Sequence, residues 1–232
     1  LRDMAARTDC WPVKCNAGFL HLLLWDQEFE AGTADTGLIA RHLDDFIPDE
    51  LASENVLQSV AHMVVDAALG ALDGRRDPEL LIGGLGVGFS LAHAAADPRP
   101  GRIAVVERER AIIDWHLDGP LSDFSAPALA DPRTEILETD LVAYVHETSA
   151  TYDALCLDID NGPGWTVTEG NDSLYSPAGL AGCAGVLRPG GVLAVWSAQP
   201  SPEFEETLCN AGFQQVRTEE IPVARGVPDV VH

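Results

Sequence analysis

The pattern of hydrophobic and polar positions changes near Asp77-Pro78 in this 232-residue chain. Downstream, short apolar runs alternate with stretches of helical period. The runs at 80–82, 103–106, 134–137, 154–157 and 192–196 predict buried strands. Between and after them, 89–96, 110–117, 180–186 and 204–211 repeat their apolar positions at helical spacing, the last closed by Gly212. Strands alternating with helices in this way predict a parallel sheet with right-handed crossovers. Upstream, Val56, Val60, Met63, Val64, Ala67 and Ala68 recur at helical spacing, with Ser53 as N-cap and Glu54 just inside. Residues 19–29 predict one or two short strands followed by a turn at Gly32, and the closing Val-Pro-Asp-Val-Val-His a last short strand. The expectation is an α/β chain with a small β-rich or mixed segment at 1–55 and a doubly wound, mostly parallel sheet at 56–232.

Composition narrows the function classes. The chain is 46% hydrophobic, enough for one good-sized core, and its formal net charge is −23, from 14 basic and 37 acidic residues. Such a surface is repelled by phosphate backbones and anionic membranes, which argues against nucleic-acid and membrane partners. Asp26 to Glu54 alone holds nine acidic residues against Arg41, and reads as a solvated face or a lip that attracts a cation. No run approaches the ~20 apolar residues of a membrane helix. Five scattered cysteines without paired metal spacing point to a reduced, cytoplasmic protein with no metal site.

The candidate chemistry starts at Gly84-Leu85-Gly86-Val87-Gly88, between a strand and a helix. Glycine there permits a tight turn and close approach of a ligand to the backbone, beside the free N–H groups of a helix start. Glu107 closes the next strand, 19 residues after Gly88, where a carboxylate can accept from both hydroxyls of a ribose. Nicotinamide and flavin motifs space their last glycine differently. The alternating form is similar to the first motif of Rossmann-like S-adenosylmethionine-dependent transferases, whose loop wraps an amino-acid tail rather than a pyrophosphate.

That resemblance runs from about residue 80 to 213, through "LLIGGLGVG", "IAVVERERAIIDW", "ILETD", "YDALCLDIDNGP" and "LYSPAGLAGCAGVLRPGGVLAVWSA" in order. Within the superfamily the chain most resembles the spermidine synthases, or polyamine aminopropyltransferases, which carry a small β-rich N-terminal domain and are commonly dimers. The resemblance implies Gly84, Gly86, Gly88, Glu107, Asp140 and Asp158 as cofactor-binding residues, with Asp140 at the adenine. It also implies a homodimer and an acceptor from the polyamines. Two departures matter. Gly86 stands where the family carries the aspartate that contacts the amine of decarboxylated S-adenosylmethionine. That aspartate would repel the carboxylate of the ordinary cofactor, and glycine does not. The family's Tyr-His-Glu corresponds to Val56-Leu57-Gln58, leaving Gln58 as a substrate-binding candidate, with His62 nearby.

A sulfonium donor is already activated, so the protein must chiefly position the acceptor and control its proton. Asp158, Asp160 and Tyr175 are the catalytic candidates, and Asn161 and Trp165 join Gln58 as candidates for binding the acceptor. Each has a plain structural alternative: Asp160-Asn161-Gly162-Pro163 as a turn, Tyr175 as packing, and Trp165 and Trp115 as core filling. His116 reads as a surface or boundary residue, and Cys156 as core. The expected function is transfer of a methyl group from S-adenosylmethionine to a small, amine-bearing, cationic molecule. The alternatives are aminopropyl transfer from the decarboxylated cofactor and a catalytically idle dimeric scaffold.

Overall fold

Two strands with almost no polar side chains set the centre of the molecule. β1 (Glu79–Gly83) buries Leu80, Leu81 and Ile82 completely, and β4 (Tyr152–Leu157) is buried along its whole length. Continuous burial of this kind is the mark of a parallel strand covered on both faces. The computed structural model describes residues 17–35, 37–42, 54–72, 74–159, 161–166, 170–221 and 229–232. Contacts divide the chain into two compact units, Leu1–Asn55 with Val223–Gly226, and Val56–Pro222 with Val227–His232.

In the larger unit, β2 (Arg102–Glu107), β3 (Thr134–Glu138) and β5 (Leu187–Ser197) run parallel to β1 and β4. β6 (Glu219–Ile221) and β7 (Asp229–Val231) complete a seven-stranded sheet of order β3-β2-β1-β4-β5-β7-β6, with β7 antiparallel to both neighbours. The order reverses between β1 and β4, so their carboxyl ends flank the crevice where ligands bind in such sheets. Each of the five predicted parallel strands lies where its run predicts, and the strand order sets β1 and β4 at the middle of the sheet.

The smaller unit differs from its expectation. Residues 17–30 form α1 (Ala17–Trp25) and α2 (Gln27–Glu30) instead of strands, followed by α3 (Leu38–Arg41). Residues 19–29 contain no β-branched side chain, and leucine is a strong helix former. Asp26 caps α2, its carboxylate accepting from the Glu28 and Phe29 N–H groups at 2.8 and 3.0 Å.

α4 (Glu54–Ala71) runs as the periodicity predicts, with Val64, Val65, Ala68 and Leu69 buried; the proposed cap Ser53 lies outside the described residues. α5 (Phe89–Ala96) and α6 (Arg110–Asp118) follow β1 and β2. Among the described elements, α3, β6, α7 (Ser122–Leu129), α8 (Leu141–Glu147) and a 3₁₀ turn at Asn171–Tyr175 lack a sequence counterpart. α9 (Pro177–Gly185) starts on the Ser176 cap, and α10 (Pro202–Asn210) on Ser201. None of the described helices is long and apolar enough to cross a membrane.

The amino ends of the strands are tied by charge. Asp153, 4% exposed, accepts from the Glu79 N–H and from Arg188, each at 2.8 Å, and from Arg75. Arg188 also reaches Glu79 at 2.8 Å. Burial pushes the Asp153 carboxyl up, but the Glu79 N–H and the two guanidinium groups outweigh it and hold the pKa below the ordinary range.

Candidate active site at the carboxyl edge of the sheet

Gly84, Gly86 and Gly88 all take positive φ, at 90°, 49° and 92°. Alternating left-handed residues coil the chain tightly between β1 and α5, which L side chains resist. At Gly88 a Cβ would also lie 2.7 Å from the imidazole of His116. At Gly86 a Cβ would have nothing within 4 Å, so that position opens outward.

The loop lines one side of a cavity of about 160 Å³. Around it stand Val106, Glu107, Arg108 and Glu109 from the end of β2, Asp140 and Leu141 from the start of α8, Asp158 and Ile159 from the end of β4, and Asn171. Gly84, Gly86, Glu107, Asp140 and Asp158, all singled out in the sequence, therefore meet in one cleft. Gly88 lies at the base of the loop as the residue before α5.

Glu107 has two tasks here. Its carboxylate accepts from the Leu85 N–H at 3.1 Å and the Glu109 N–H at 2.7 Å, bridging the loops after β1 and β2. Each oxygen keeps a further lone pair for an incoming hydroxyl. Asp140 caps α8 through the Ala143 N–H at 3.0 Å, with Arg108 3.5 Å from its other oxygen. Asp158 is partly buried, and its carboxylate accepts from the Ser90 hydroxyl at 2.7 Å. Burial raises its pKa to about 6 against the opposing pull of that hydrogen bond.

The remaining candidates are placed elsewhere or not described. Tyr175 is a correction: it is 6% exposed and stacks edge-on against Phe204, 5.8 Å between centroids, within the core. Asn171, at the other end of the same turn, is the residue that lines the cleft. Asn161 is tied to the end of β5, its carbonyl accepting from the Ala198 N–H at 3.0 Å, and its buried amide nitrogen has no partner among the described residues. Trp165 closes a turn on the Gly162 carbonyl at 3.1 Å, is 42% exposed and does not line the cleft. Asp160 and the side chains of Gln58 and His62 lie outside the described residues. Cys156 is core, as expected: it is fully buried, with its thiol pushed up to about 12 by burial.

His116 is the second correction. Rather than a surface residue, it is 1% exposed; Nε2 lies 2.9 Å from the Gly86 carbonyl and Nδ1 contacts the Ser125 hydroxyl. With Ser90, Arg108 and Asn171 it completes the group that sequence reasoning missed. Only the turn from Gly119-Pro120, which returns the chain toward α6, hints at the pairing of His116 with Ser125.

A larger cavity, about 700 Å³, lies along Gly190–Ala194 of β5 and the 212–217 segment. It is away from the carboxyl ends of β1 and β4 and gathers no comparable set of carboxylates, so the smaller cleft is the better chemical candidate.

No family model matches the chain. Over 143 residues it is 32% identical to polyamine aminopropyltransferase 2 of Pseudomonas aeruginosa, a stretch covering 60% of this chain and 38% of that protein. It is 30% identical over 137 residues to a polyamine aminopropyltransferase of Escherichia fergusonii, covering 58% and 44%. The chain thus spans about four-tenths of the length of these curated relatives. A spermidine synthase in complex with the transition-state analogue AdoDATO matches its fold with a TM-score of 0.59 at 18% identity, over 74% of this chain and 58% of that one. Human methyltransferase-like protein 13 in complex with SAH matches at 0.54 and 17% identity, over 78% and 81%. The chain has the class I methyltransferase fold, shared with these spermidine synthase and methyltransferase structures.

Proposed function

We propose that this chain is an S-adenosylmethionine-dependent transferase that moves a methyl group to the nitrogen of a small, amine-bearing molecule. The carrying observation is the cleft at the sheet reversal, where an open Gly86 faces the same space as Glu107 and the partly buried Asp158. The residues fit such a cofactor. Glu107 has lone pairs for a ribose diol, Val106, Leu141 and Ile159 supply apolar surface for a base, and the glycine loop leaves room for an amino-acid tail. At about 160 Å³, against ~300 Å³ or more for a pocket that surrounds a whole ligand, the described residues form one wall of the cradle.

When bound, the cofactor supplies a carbon made electrophilic by its positive sulfur. Asp158 accepts the proton that the acceptor nitrogen gives up, and its carboxylate holds the acceptor's positive charge beforehand. Its pKa of about 6 keeps it ionised near neutrality yet close enough in basicity to exchange that proton. Glu107 and the backbone of the glycine loop bind and orient.

The curated relatives favour a second reading, aminopropyl transfer from decarboxylated S-adenosylmethionine. Titration calorimetry separates the two. Tighter binding of S-adenosylhomocysteine than of 5′-methylthioadenosine supports methyl transfer, and the reverse supports aminopropyl transfer. Binding of neither overturns both and leaves an idle scaffold. Incubation with amine acceptors and mass analysis of the product then reads the transferred group directly. In the methyl-transfer case kcat/KM should fall on the acid side with an apparent pKa near 6, and Asp158→Asn should abolish that limb and lower kcat ~100-fold or more. An unchanged profile in Asp158→Asn removes Asp158 from the proton-transfer role.

A further inference from the structure

His116 is a polar side chain sealed beneath the glycine loop, 1% exposed, with each ring nitrogen against a partner. A carbonyl only accepts, so Nε2 must carry the hydrogen that goes to Gly86. In the neutral ring Nδ1 is then an acceptor, and the Ser125 hydroxyl donates to it. The two partners fix both the tautomer and the plane of the ring, and a buried imidazole so placed has no unmet polar atom. Its fit to the loop is also steric, since the ring edge occupies the space that a side chain at Gly88 would take.

The loop needs such a hold. Gly86 has no side chain, and nothing lies within 4 Å of its Cβ position, so no side-chain packing of its own anchors it. On one flank the Gly84 N–H reaches Val106 at 2.9 Å and the Leu85 N–H reaches Glu107; on the other the Gly88 N–H closes on Leu85 at 2.8 Å. His116 is the side chain that grips the middle, and it does so from α6 while Ser125 braces it from α7.

We propose that His116 is a positioning residue for the cofactor loop: its Nε2–H holds the Gly86 carbonyl, and this sets how tightly the cleft takes a nucleoside that bears an amino-acid tail. The inference rests on the cofactor reading given above and deepens it. Ser125 serves as the orienting partner of the ring.

The test uses His116→Met, which keeps a comparable apolar bulk without the donor, and His116→Gln, whose amide N–H reaches toward the place of Nε2. Calorimetry on the whole chain should show His116→Met binding S-adenosylhomocysteine ~10- to 100-fold more weakly, the scale of one lost buried hydrogen bond. Its affinity for 5′-methylthioadenosine, which has no amino-acid tail, should stay within ~3-fold, and His116→Gln should recover most of the loss. Hydrogen exchange of the 84–91 amides in the ligand-free chain should quicken in His116→Met and slow again in His116→Gln, with β3 amides unchanged. Equal loss of both nucleosides with faster exchange throughout would show a packing role and overturn the proposal, as would no change in either measurement. If the unaltered chain binds neither nucleoside, the cofactor reading falls and tail selectivity with it. The exchange arm then decides by itself whether His116 holds the loop.

Discussion

At Gly86 the absence of a side chain is a chemical statement. Its φ of 49° lies where aspartate and asparagine are the best tolerated L residues, and a Cβ there would meet nothing within 4 Å. Gly86→Asp should therefore fold, and should weaken S-adenosylhomocysteine ~10-fold or more through carboxylate repulsion while sparing 5′-methylthioadenosine. Unchanged calorimetric affinities would detach Gly86 from selectivity. Glu107 calls for a gentler substitution, because its carboxylate also bridges two loops. Glu107→Gln should weaken nucleoside binding ~10-fold and, because its NH2 can accept from neither the Leu85 nor the Glu109 N–H, lower the melting temperature modestly, whereas Glu107→Ala removes both bridges and should lower it further. The site was legible where residue type alone betrays backbone need, as at the three glycines, or where an acid ends a strand, as at Glu107 and Asp158. His116 was not, because its partners lie 9 and 30 residues away. Tyr175 misled because the chain turns into the core between Asn171 and Ser176.

Among the elements, strands were easier to read than connectors. An apolar run long enough to be buried on both faces has few alternatives, and β1, β2 and β4 are such runs. α7 was illegible because Pro127 sits inside it. α8 has only seven residues, so its period barely repeats, although the capping Asp140 marks its start. The α1 and α2 segment resembles strand in its apolar density, but its leucine-rich composition, free of β-branched side chains, favours the helix it forms. The clamp at the opposite end from the cleft makes its own prediction. Asp153→Asn leaves Arg75 and Arg188 facing each other around a neutral amide, and should lower stability by ~3 kcal/mol in urea melts. Since the folded-state pKa of Asp153 is depressed, its contribution is present above the ordinary carboxylate range, near ~4, and is lost as pH falls through the folded value. The wild-type chain should lose stability below pH ~4 more steeply than Asp153→Asn does.

Over the whole molecule, the net charge of −23 now divides into parts. Among the described residues, Arg41, Arg75, Arg99, Arg102, Arg108, Arg110, Arg133, Arg188 and Arg217 each pair with a carboxylate, so these cations are matched locally. In the acidic N-terminal stretch Arg41 bridges Glu28 and Asp35, each at 2.8 Å, on an exposed surface where such pairs add little. The unmatched carboxylates repel one another at long range. Raising NaCl from ~10 mM to ~1 M shortens the screening length from ~30 to ~3 Å and should raise the melting temperature by several degrees. A lower melting temperature would mean that the ion pairs outweigh the surplus charge.

The strand order also sets a sequence in time. β1 pairs with β2 and β2 with β3, all within residues 79–138, so the strands of this half of the sheet leave the ribosome first. β4 starts at Tyr152 and must then add to the other side of β1. The cleft between the ends of β1 and β4 is the seam between an early and a late half of the chain. A nucleoside bound across it, as proposed above, would work as a fastener: at ~100 times its Kd it would add ~2.7 kcal/mol to the joined state, and loading during synthesis would favour completed sheets over half-built ones.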